Sequence, residues 1–279
     1  MARNQLISPF VKWVGGKRQI MNSIMQFTPR NIRNYTYVEP FVGGGAVLFH
    51  LQPKNSIIND YNSELINVYS VIKENLSELI TDLKKHKNEP DYFYDIRKLD
   101  REKDFHQLDN VQRASRLIYL NKTCYNGLYR VNNAGEFNSP FGRYKNPNIV
   151  NEPVLKAVSA YLNANNVQLF NKDYEEILNG LDENSFVYLD PPYHPISESS
   201  SFTGYIQGGW NMFDQLRLRE ACDTLTERGI RFLLSNSASG FIKEQYQNYN
   251  ISLVKATRTI NANAEKRGEV NEVLIRNYE

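Results

Sequence analysis

An α/β fold is predicted by three features of this 279-residue sequence. The chain opens with a strand, a glycine-rich turn, a helix and a second strand, which is the pattern of a βαβ unit. Short apolar runs alternate with helical segments again in the second half of the chain. Several of these runs are followed by an acidic residue, and open α/β sheets bind their ligands at the carboxyl ends of strands.

The opening βαβ unit is the most regular part of the pattern. Residues 35–39 predict a strand, 40–45 a tight turn, 46–51 the start of a helix and 56–59 the next strand. Asp60 stands just past that second strand. Asn62 is predicted to cap a helix that begins at Ser63 and continues through Val71.

The middle of the chain has a different character. A charged helical pattern continues to about residue 125, and residues 111–120 are its clearest amphipathic stretch. Residues 125–144 are rich in Asn, Gly, aromatic residues and Arg, which predicts a hairpin with a long turn centred on 132–135. Later strands are predicted at 167–170, 186–189, 230–235, 251–256 and 270–275, and helices at 152–163, 214–227 and 240–247.

Composition indicates a water-soluble protein without an obvious bulk charge. Hydrophobic residues make up 41% of the chain and the net charge is +2, so any nucleic-acid site must be a local basic patch. No apolar run is long enough to span a membrane, and the N-terminus resembles no signal peptide. Cys124 and Cys222 stand far apart and outside any metal-type spacing, which predicts reduced thiols, no metal site and a cytoplasmic location.

The segment 190–193 predicts the catalytic chemistry. Asp190 follows the apolar run 186–189, and Pro191 and Pro192 stiffen the turn because proline has a fixed φ and no N–H. The Asp190 carboxylate and the Pro191 carbonyl could accept the two hydrogens of an adenine N6 amino group, so that its lone pair attacks a methyl group. The ring of Tyr193 could stack on a base extruded from the helix. The alternative is a polar strand end capped by a Pro-Pro turn.

A crevice for an adenosine compound is predicted by the other strand ends. The turn Phe41, Val42, Gly43, Gly44, Gly45 precedes a helix and lets a ligand approach the backbone. Asp60 could bind ribose hydroxyls, while Asp173 and Tyr174 could hold and stack on an adenine. Near the N-terminus, Trp13 offers a ring, and Lys17 could neutralise an amino-acid carboxylate. Each of these residues also has a purely structural interpretation. The glycines would form only a turn, an Asp after a strand would cap a helix, and the lysine would be solvated. The sequence has no phosphate-binding loop of the nucleoside triphosphatases, which disfavours that class.

Together these motifs resemble the Dam-type DNA adenine-N6 methyltransferases. The resemblance covers nearly the whole chain and is carried by residues 12–17, 39–45, 59–60, 125–130, 135–145 and 190–193. It implies S-adenosylmethionine as cofactor and adenine in double-stranded GATC as target. It also implies the family's alpha arrangement and a seven-stranded, mostly parallel, Rossmann-like methyltransferase sheet with an inserted helical and β-hairpin DNA-recognition domain. Residues 1–62 and 149–279 would then form the catalytic domain and 63–148 the target-recognition domain.

The resemblance also implies roles for residues of the recognition segment. Arg130 would read a guanine edge and Lys12 the first guanine. Leu128 and Pro140 would touch a thymine methyl group. Tyr125 and Asn126 would occupy the space left by the flipped adenine or contact the orphan thymine. The phosphates would be held by Arg143, Tyr144 and Lys145. Asn132, at the tip of the hairpin, is a further candidate for a DNA contact. The segment also has an excess of basic over acidic side chains, which suits DNA.

Rival functions exist, but Asp190 and the hairpin argue against RNA or glutamine methylation, and Asp190 and the complete cofactor motifs argue against a silent regulator. Methylation of RNA adenine, of a protein glutamine, or of adenine in another DNA site would use a similar fold. A catalytically silent DNA-binding regulator is the non-enzymatic alternative. The expected partner is double-stranded DNA, with no membrane and no obligate protein partner, although a cognate restriction nuclease is possible. The stretch 197–204 is predicted to be a lid over the substrate, with a surface loop as the alternative.

Overall fold

A computed structural model describes residues 3–195, 209–257 and 269–279. The predicted lid at 197–204 lies outside these residues. Within them, no helix is both long enough and apolar enough to cross a bilayer.

Seven strands among the described residues form one sheet, as predicted, in the order β3-β2-β1-β4-β5-β7-β6. Strands β1 to β5 pair in parallel, and β7 runs antiparallel between β5 and β6. The fold is therefore α/β with a mostly parallel sheet, as predicted. The strands are β1 Thr36–Glu39, β2 Asn55–Asn59, β3 Asn166–Phe170, β4 Ser185–Leu189, β5 Arg231–Ser237, β6 Asn250–Thr257 and β7 Glu269–Arg276.

Ten α-helices lie among the described residues, and most begin and end close to the predicted bounds. They are α1 Met21–Phe27, α2 Ala46–Leu51, α3 Ser63–Glu74, α4 Leu76–Leu83, α5 Pro90–Lys98, α6 Asn110–Thr123, α7 Glu152–Ala164, α8 Tyr174–Asn179, α9 Met212–Glu227 and α10 Gly240–Gln245. The predicted cap of α3 is present, since the Asn62 side chain accepts from the N–H of Leu65. Helices α1 and α8 were not predicted.

The central position of β4 in the sheet explains why residues 186–189 are all apolar. All five of its residues are buried. Phe186 and Tyr188 pack into the hydrophobic cluster on one face of the sheet, whereas Val187 and Leu189 pack into the cluster on the other. A parallel strand covered on both faces reads as a continuous hydrophobic run rather than an alternating one.

Residues 63–148, all of which have a described backbone, contribute no strand to the sheet. They form α3 to α6, short 3-10 turns and then the basic segment 125–144. That segment folds back on itself, but pairing outside the named strands is limited to isolated bridges between Cys124 and Phe141 and between Val131 and Phe137. The predicted hairpin is thus a chain reversal without regular strands.

Candidate active site

Four successive strand ends meet at one edge of the sheet. Strands β1 to β4 are parallel, so the segments after their carboxyl ends lie side by side. Strands β2 and β3 lie on the outer side of β1, whereas β5, β7 and β6 lie on the outer side of β4, so the direction of strand addition reverses between β1 and β4. Such a reversal opens a crevice, which is where this fold class binds ligands. The predicted acidic residues Asp60, Asp173 and Asp190 all follow these strand ends.

The glycine-rich turn after β1 presents bare backbone beside an indole ring. The Gly43 N–H donates to Oδ2 of Asp60 at 2.9 Å, and the Tyr69 hydroxyl donates to the Gly43 carbonyl at 3.0 Å. Gly43 and Gly45 have positive φ, which favours glycine. A Cβ at Gly43 would lie 2.9 Å from Cδ1 of Trp13. The absence of a side chain at Gly43 therefore lets the Trp13 indole pack directly against the main chain of this turn.

Replacement of Gly45 by Ala is expected to destabilise the fold more than Gly229→Ala. Both glycines have a φ of +70°, but a Cβ at Gly45 would lie 2.6 Å from the Tyr69 hydroxyl and 2.8 Å from the Phe49 ring. Nothing lies within 4 Å of a Cβ at Gly229. The control therefore carries backbone strain of about 1–2 kcal/mol, and Gly45→Ala adds about 1–3 kcal/mol of overpacking. Urea denaturation measures the difference; equal destabilisation would contradict the packing around Gly45.

Both carboxylate oxygens of Asp60 are used to join two turns. Oδ2 accepts from Gly43, and Oδ1 accepts from the N–H of Asn62 at 2.9 Å. Burial raises the pKa of Asp60 to about 6, although both backbone donors act in the opposite direction. The adjacent Tyr61 is 63% exposed. Ribose binding by Asp60 stays a prediction, and Tyr61 is an exposed ring at the crevice that the sequence reasoning did not consider.

Asp173 caps α8 and pairs with an arginine of α9. Its Oδ1 accepts from the Glu175 N–H at 2.9 Å, and Nη2 of Arg217 lies 2.8 and 2.6 Å from its two oxygens. The Tyr174 ring is buried and packs against Phe41, with 5.2 Å between centroids. The predicted adenine contacts would therefore involve a carboxylate that is already paired and a ring that is already covered. Arg217 was missed because its partner is 44 residues away in the chain.

Asp190 forms an ion pair with Lys17 at the end of β4. The Lys17 ammonium lies 2.7 Å from Oδ1 of Asp190, and the Ser235 hydroxyl donates to the same oxygen at 2.9 Å. Lys17 is only 4% exposed, and its ammonium also donates to the Gly15 carbonyl at 2.5 Å. Burial raises the pKa of Asp190, while Lys17 and Ser235 act to lower it. Lys17, predicted to face a ligand carboxylate, thus faces the candidate catalytic carboxylate in this structure.

The Tyr193 side chain is tied to the last strand of the sheet. Its hydroxyl donates to Oε2 of Glu272 on β7 at 2.9 Å. The Lys17 ammonium lies 4.8 Å from the centroid of its ring. Lys17 thus contacts both Asp190 and the Tyr193 ring and holds them together as one unit. Glu272, which anchors the tyrosine, was not a candidate from the sequence.

Three buried polar residues fix the backbone of the same turn. The Pro192 carbonyl accepts from the Gln215 side chain at 2.8 Å. Asn236 accepts from the His194 N–H at 3.0 Å, and the Ser237 hydroxyl donates to the His194 carbonyl at 2.6 Å. None of the three was a candidate from sequence, although polar residues at the carboxyl end of the apolar strand β5 were a visible signal.

Glu39, the last residue of β1, is a buried carboxyl next to this turn. Its Oε2 accepts from the Tyr37 hydroxyl at 2.8 Å and from the Leu48 N–H at 3.1 Å. Burial raises the pKa of Glu39 to about 8, and the nearby Asp190 acts in the same direction, against the two hydrogen bonds. The folded protein therefore keeps a proton on Glu39 at neutral pH.

Glu39→Gln is expected to flatten the dependence of stability on pH. The ordinary pKa of this carboxyl is 4.5 and the folded value is about 8, so the folded protein holds a proton that the unfolded chain releases between these values. The stabilisation that this proton contributes is complete below pH 4.5. It falls by about 1.4 kcal/mol per pH unit as the pH rises from 4.5 to about 8. Urea denaturation at pH 6 and pH 8 should show a smaller decrease for the neutral variant; parallel decreases would mean that Glu39 is ionised.

Trp13 connects the glycine turn to the basic segment. Its indole stacks on Tyr129 with 4.7 Å between centroids, and its other edge lies against Gly43. The neighbouring Lys12 is fixed through its backbone, since its N–H donates to Asn121 and its carbonyl accepts from the same side chain. The candidate crevice and the basic segment are therefore in direct contact.

The predicted DNA-contacting residues differ in how available their side chains are. Nε of Arg130 donates to Oδ1 of Asn138 at 2.5 Å, so this guanidinium is already oriented. Burial lowers the pKa of Lys122, as does the nearby Lys12, which indicates two cations close together. Exposed candidates are Lys12, Tyr125, Asn126, Pro140, Arg143 and Lys145, and half-buried ones are Leu128, Arg130, Asn132 and Tyr144.

Comparison with known proteins identifies a family model that covers most of the chain. The model, described as D12 class N6 adenine-specific DNA methyltransferase, matches residues 13–260. This range contains the glycine turn, the basic segment and the turn at 190–193.

Curated relatives align along almost their full lengths. Type II methyltransferase M1.LlaDCHI of Lactococcus lactis subsp. cremoris is 42% identical over 98% of this chain and 96% of its own. Type II methyltransferase M.MjaIII of Methanocaldococcus jannaschii is 42% identical over 98% and 99%. The DNA adenine methylase of Escherichia coli K12 is 34% identical over 95% and 93%.

Proposed function

This chain belongs to the D12 class of N6 adenine-specific DNA methyltransferases, and we propose that it methylates adenine in double-stranded GATC after flipping that base out of the helix. The observation that carries the proposal is the half-buried unit of Asp190 and Tyr193 at a crevice that adjoins a basic segment. An acceptor and an aromatic ring are what an extruded adenine requires.

Asp190 acts on the amino group of the target adenine. The N6 lone pair is delocalised into the ring, so the nitrogen is a weak nucleophile. Hydrogen bonds from N6 to the Asp190 carboxylate and the Pro191 carbonyl would move it toward tetrahedral geometry and free the lone pair. The rigid turn makes this a matter of positioning and of charge complementary to the transition state. The proton of the methylated nitrogen can leave to water.

The cofactor that we propose for the crevice is S-adenosylmethionine, which when bound supplies a methyl group on a sulfonium centre. The glycine-rich turn and the indole of Trp13, which packs against it at Gly43, would form one wall of the cofactor site. Lys17 would bind the carboxylate of the amino-acid moiety. Because the ammonium pairs with Asp190 in this structure, a ligand carboxylate would draw it away and release an acceptor oxygen. The further cofactor contacts that we propose are Phe41, Gly44, Gly45, Asp60, Asp173 and Tyr174.

The basic segment would read the site. We assign the guanine edge to Arg130 and the first guanine to Lys12, since arginine and lysine pair with guanine O6 and N7. Leu128 and Pro140 would contact a thymine methyl group. Tyr125 and Asn126 would lie in the space that the flipped base leaves. The DNA backbone around the hairpin would be bound by Asn132, Arg143, Tyr144 and Lys145.

Methyl transfer to two duplexes that differ only in containing GATC or GTAC tests the proposal. Labelled methyl is expected in the GATC duplex alone. Incorporation into both would keep the chemistry and remove the proposed base contacts. Tight cofactor binding with no incorporation into either would point to another DNA site or an RNA substrate, and DNA binding without any turnover to a silent regulator.

A partnership with a restriction nuclease is a second proposal about its cellular role. Two relatives with 42% identity are named Type II methyltransferases, whereas the relative with 34% identity is named DNA adenine methylase. A cytoplasmic enzyme that protects DNA from a cognate nuclease fits the first two names. Protection of plasmid DNA from a nuclease that GATC adenine methylation blocks would show the methylation on which this role depends, and cleavage of that DNA would oppose the role.

A further inference from the structure

Asp100 is the centre of a charged cluster beneath the basic segment. It lies in the 3-10 turn Leu99–Arg101 that follows α5. Its Oδ2 accepts from the Phe137 N–H at 2.7 Å and lies 2.8 Å from Nη2 of Arg116. Its Oδ1 accepts from Arg101 at 2.6 Å. The side chains of Asp100 and Arg116 are only 10% and 9% exposed, and a nearly buried carboxylate with these partners is held firmly, since breaking a buried pair strands a charge.

Two arginines bind the carbonyls on either side of Asn138. Arg101 donates to the Phe137 carbonyl at 2.9 Å, and Arg97 donates to the Ser139 carbonyl at 3.2 Å. Because the chain reversal lacks a regular strand ladder, its second limb depends on these side chains of the helical region for its position. Residues 137–139 are therefore clamped to α5 and to the turn that follows it.

Asn138, in the middle of the clamped limb, holds Arg130. Its N–H donates to the Arg130 carbonyl at 2.9 Å. In return, Nε of Arg130 donates to Oδ1 of Asn138 at 2.5 Å, and Nη2 donates to the Asn138 carbonyl at 3.2 Å. A guanidinium has five N–H donors, so other donors remain for a base edge. A continuous path of bonds thus runs from Asp100 through the limb to the guanidinium.

We propose that Asp100 is a positioning residue for Arg130, which it aims at the target guanine without touching DNA. The proposal rests on the base-reading role of Arg130 given above. A guanidinium that must form two parallel bonds to one base gains selectivity only if its direction is set beforehand. Release of the clamp should therefore lower discrimination between base pairs more than it lowers turnover.

The test compares Asp100→Ala with Asp95→Ala. Asp95 lies on α5, is 67% exposed and pairs with Lys98 at 3.0 Å, so its loss removes the same charge without touching the clamp. The readout is the ratio of kcat/KM for a GATC duplex to that for a duplex with the guanine pair replaced. We expect Asp100→Ala to lower this ratio about tenfold, within the range for one bidentate base contact, and Asp95→Ala to leave it unchanged. Amide exchange at Phe137 should become faster in Asp100→Ala alone.

A double variant separates aiming from general loosening. In an Arg130→Ala background, Asp100→Ala should cause no further loss of the ratio, because both changes act on one contact. An additional tenfold loss there would overturn the proposal. If Asp100→Ala does not fold, Asn138→Ala removes the side-chain acceptor of Arg130 Nε, while the backbone bonds between the two residues stay, and it should lower the ratio in the same direction.

Two results would identify which hypothesis has failed. Equal transfer to both duplexes by the unmodified protein would overturn the proposed site specificity, and the positioning role with it. Normal discrimination in the unmodified protein together with an unchanged ratio in Asp100→Ala would overturn the positioning role alone.

Discussion

Asp190→Ala is expected to lower kcat about 10²–10³-fold, the cost of removing one preorganised partner of the transition state. The carboxylate lies at the end of β4, 2.7 Å from the Lys17 ammonium and within hydrogen-bond distance of Ser235. Its proposed bond to the target amino group tightens as the nitrogen becomes tetrahedral, so its loss affects turnover rather than ground-state binding. Single-turnover methyl transfer is the measurement, with cofactor and DNA affinities determined beside it.

Asp190→Asn is the matched control. It keeps an acceptor oxygen but loses the charge that pairs with Lys17, and should retain more activity than the alanine variant. Thermal unfolding of both variants checks that the buried ammonium has not disrupted the fold. Turnover close to that of the unmodified protein in Asp190→Ala would remove this residue from the mechanism.

Arg130→Ala is expected to relax discrimination at one guanine by about 1–3 kcal/mol, because a bidentate contact to O6 and N7 would be lost. Transfer to the GATC duplex should fall, while transfer to a duplex altered at that guanine should change little. The measurement is kcat/KM on both duplexes at one salt concentration, since phosphate contacts respond strongly to salt.

Arg143→Ala provides the comparison for Arg130. Arg143 is exposed and is proposed to bind a phosphate, so its loss should weaken transfer to both duplexes equally. If Arg130→Ala also weakened both duplexes by the same factor, Arg130 would be a phosphate contact and the reading residue would have to be sought elsewhere in the basic segment.

Local patterns were sufficient for the strands and for the edge of the sheet where the site lies. Each strand predicted for the sheet was present, whereas the predicted hairpin has no regular strands. The run 186–189 could be recognised because it is apolar, and it is apolar because both of its faces are covered. The acidic residues after β2, β3 and β4 follow from the same register, since parallel strands end together. The absence of regular strands in the basic segment could not be predicted from its sequence. Side chains of α5 and of the 3-10 turn that follows it bind residues 137–139 in place of strand pairing.

The sequence by itself determined the fold class, the order of the motifs and the chemistry of the turn at 190–193, since these depend on residue type and on neighbours in the chain. The tertiary structure decided the partners. It placed Lys17 on Asp190, Arg217 on Asp173, Glu272 on Tyr193 and the Asp100 cluster beneath Asn138. These pairs join distant parts of the chain. Charge and hydrogen-bonding capacity can be read from each residue alone, but distance and burial, which set the strength of each contact, exist only once the chain has folded.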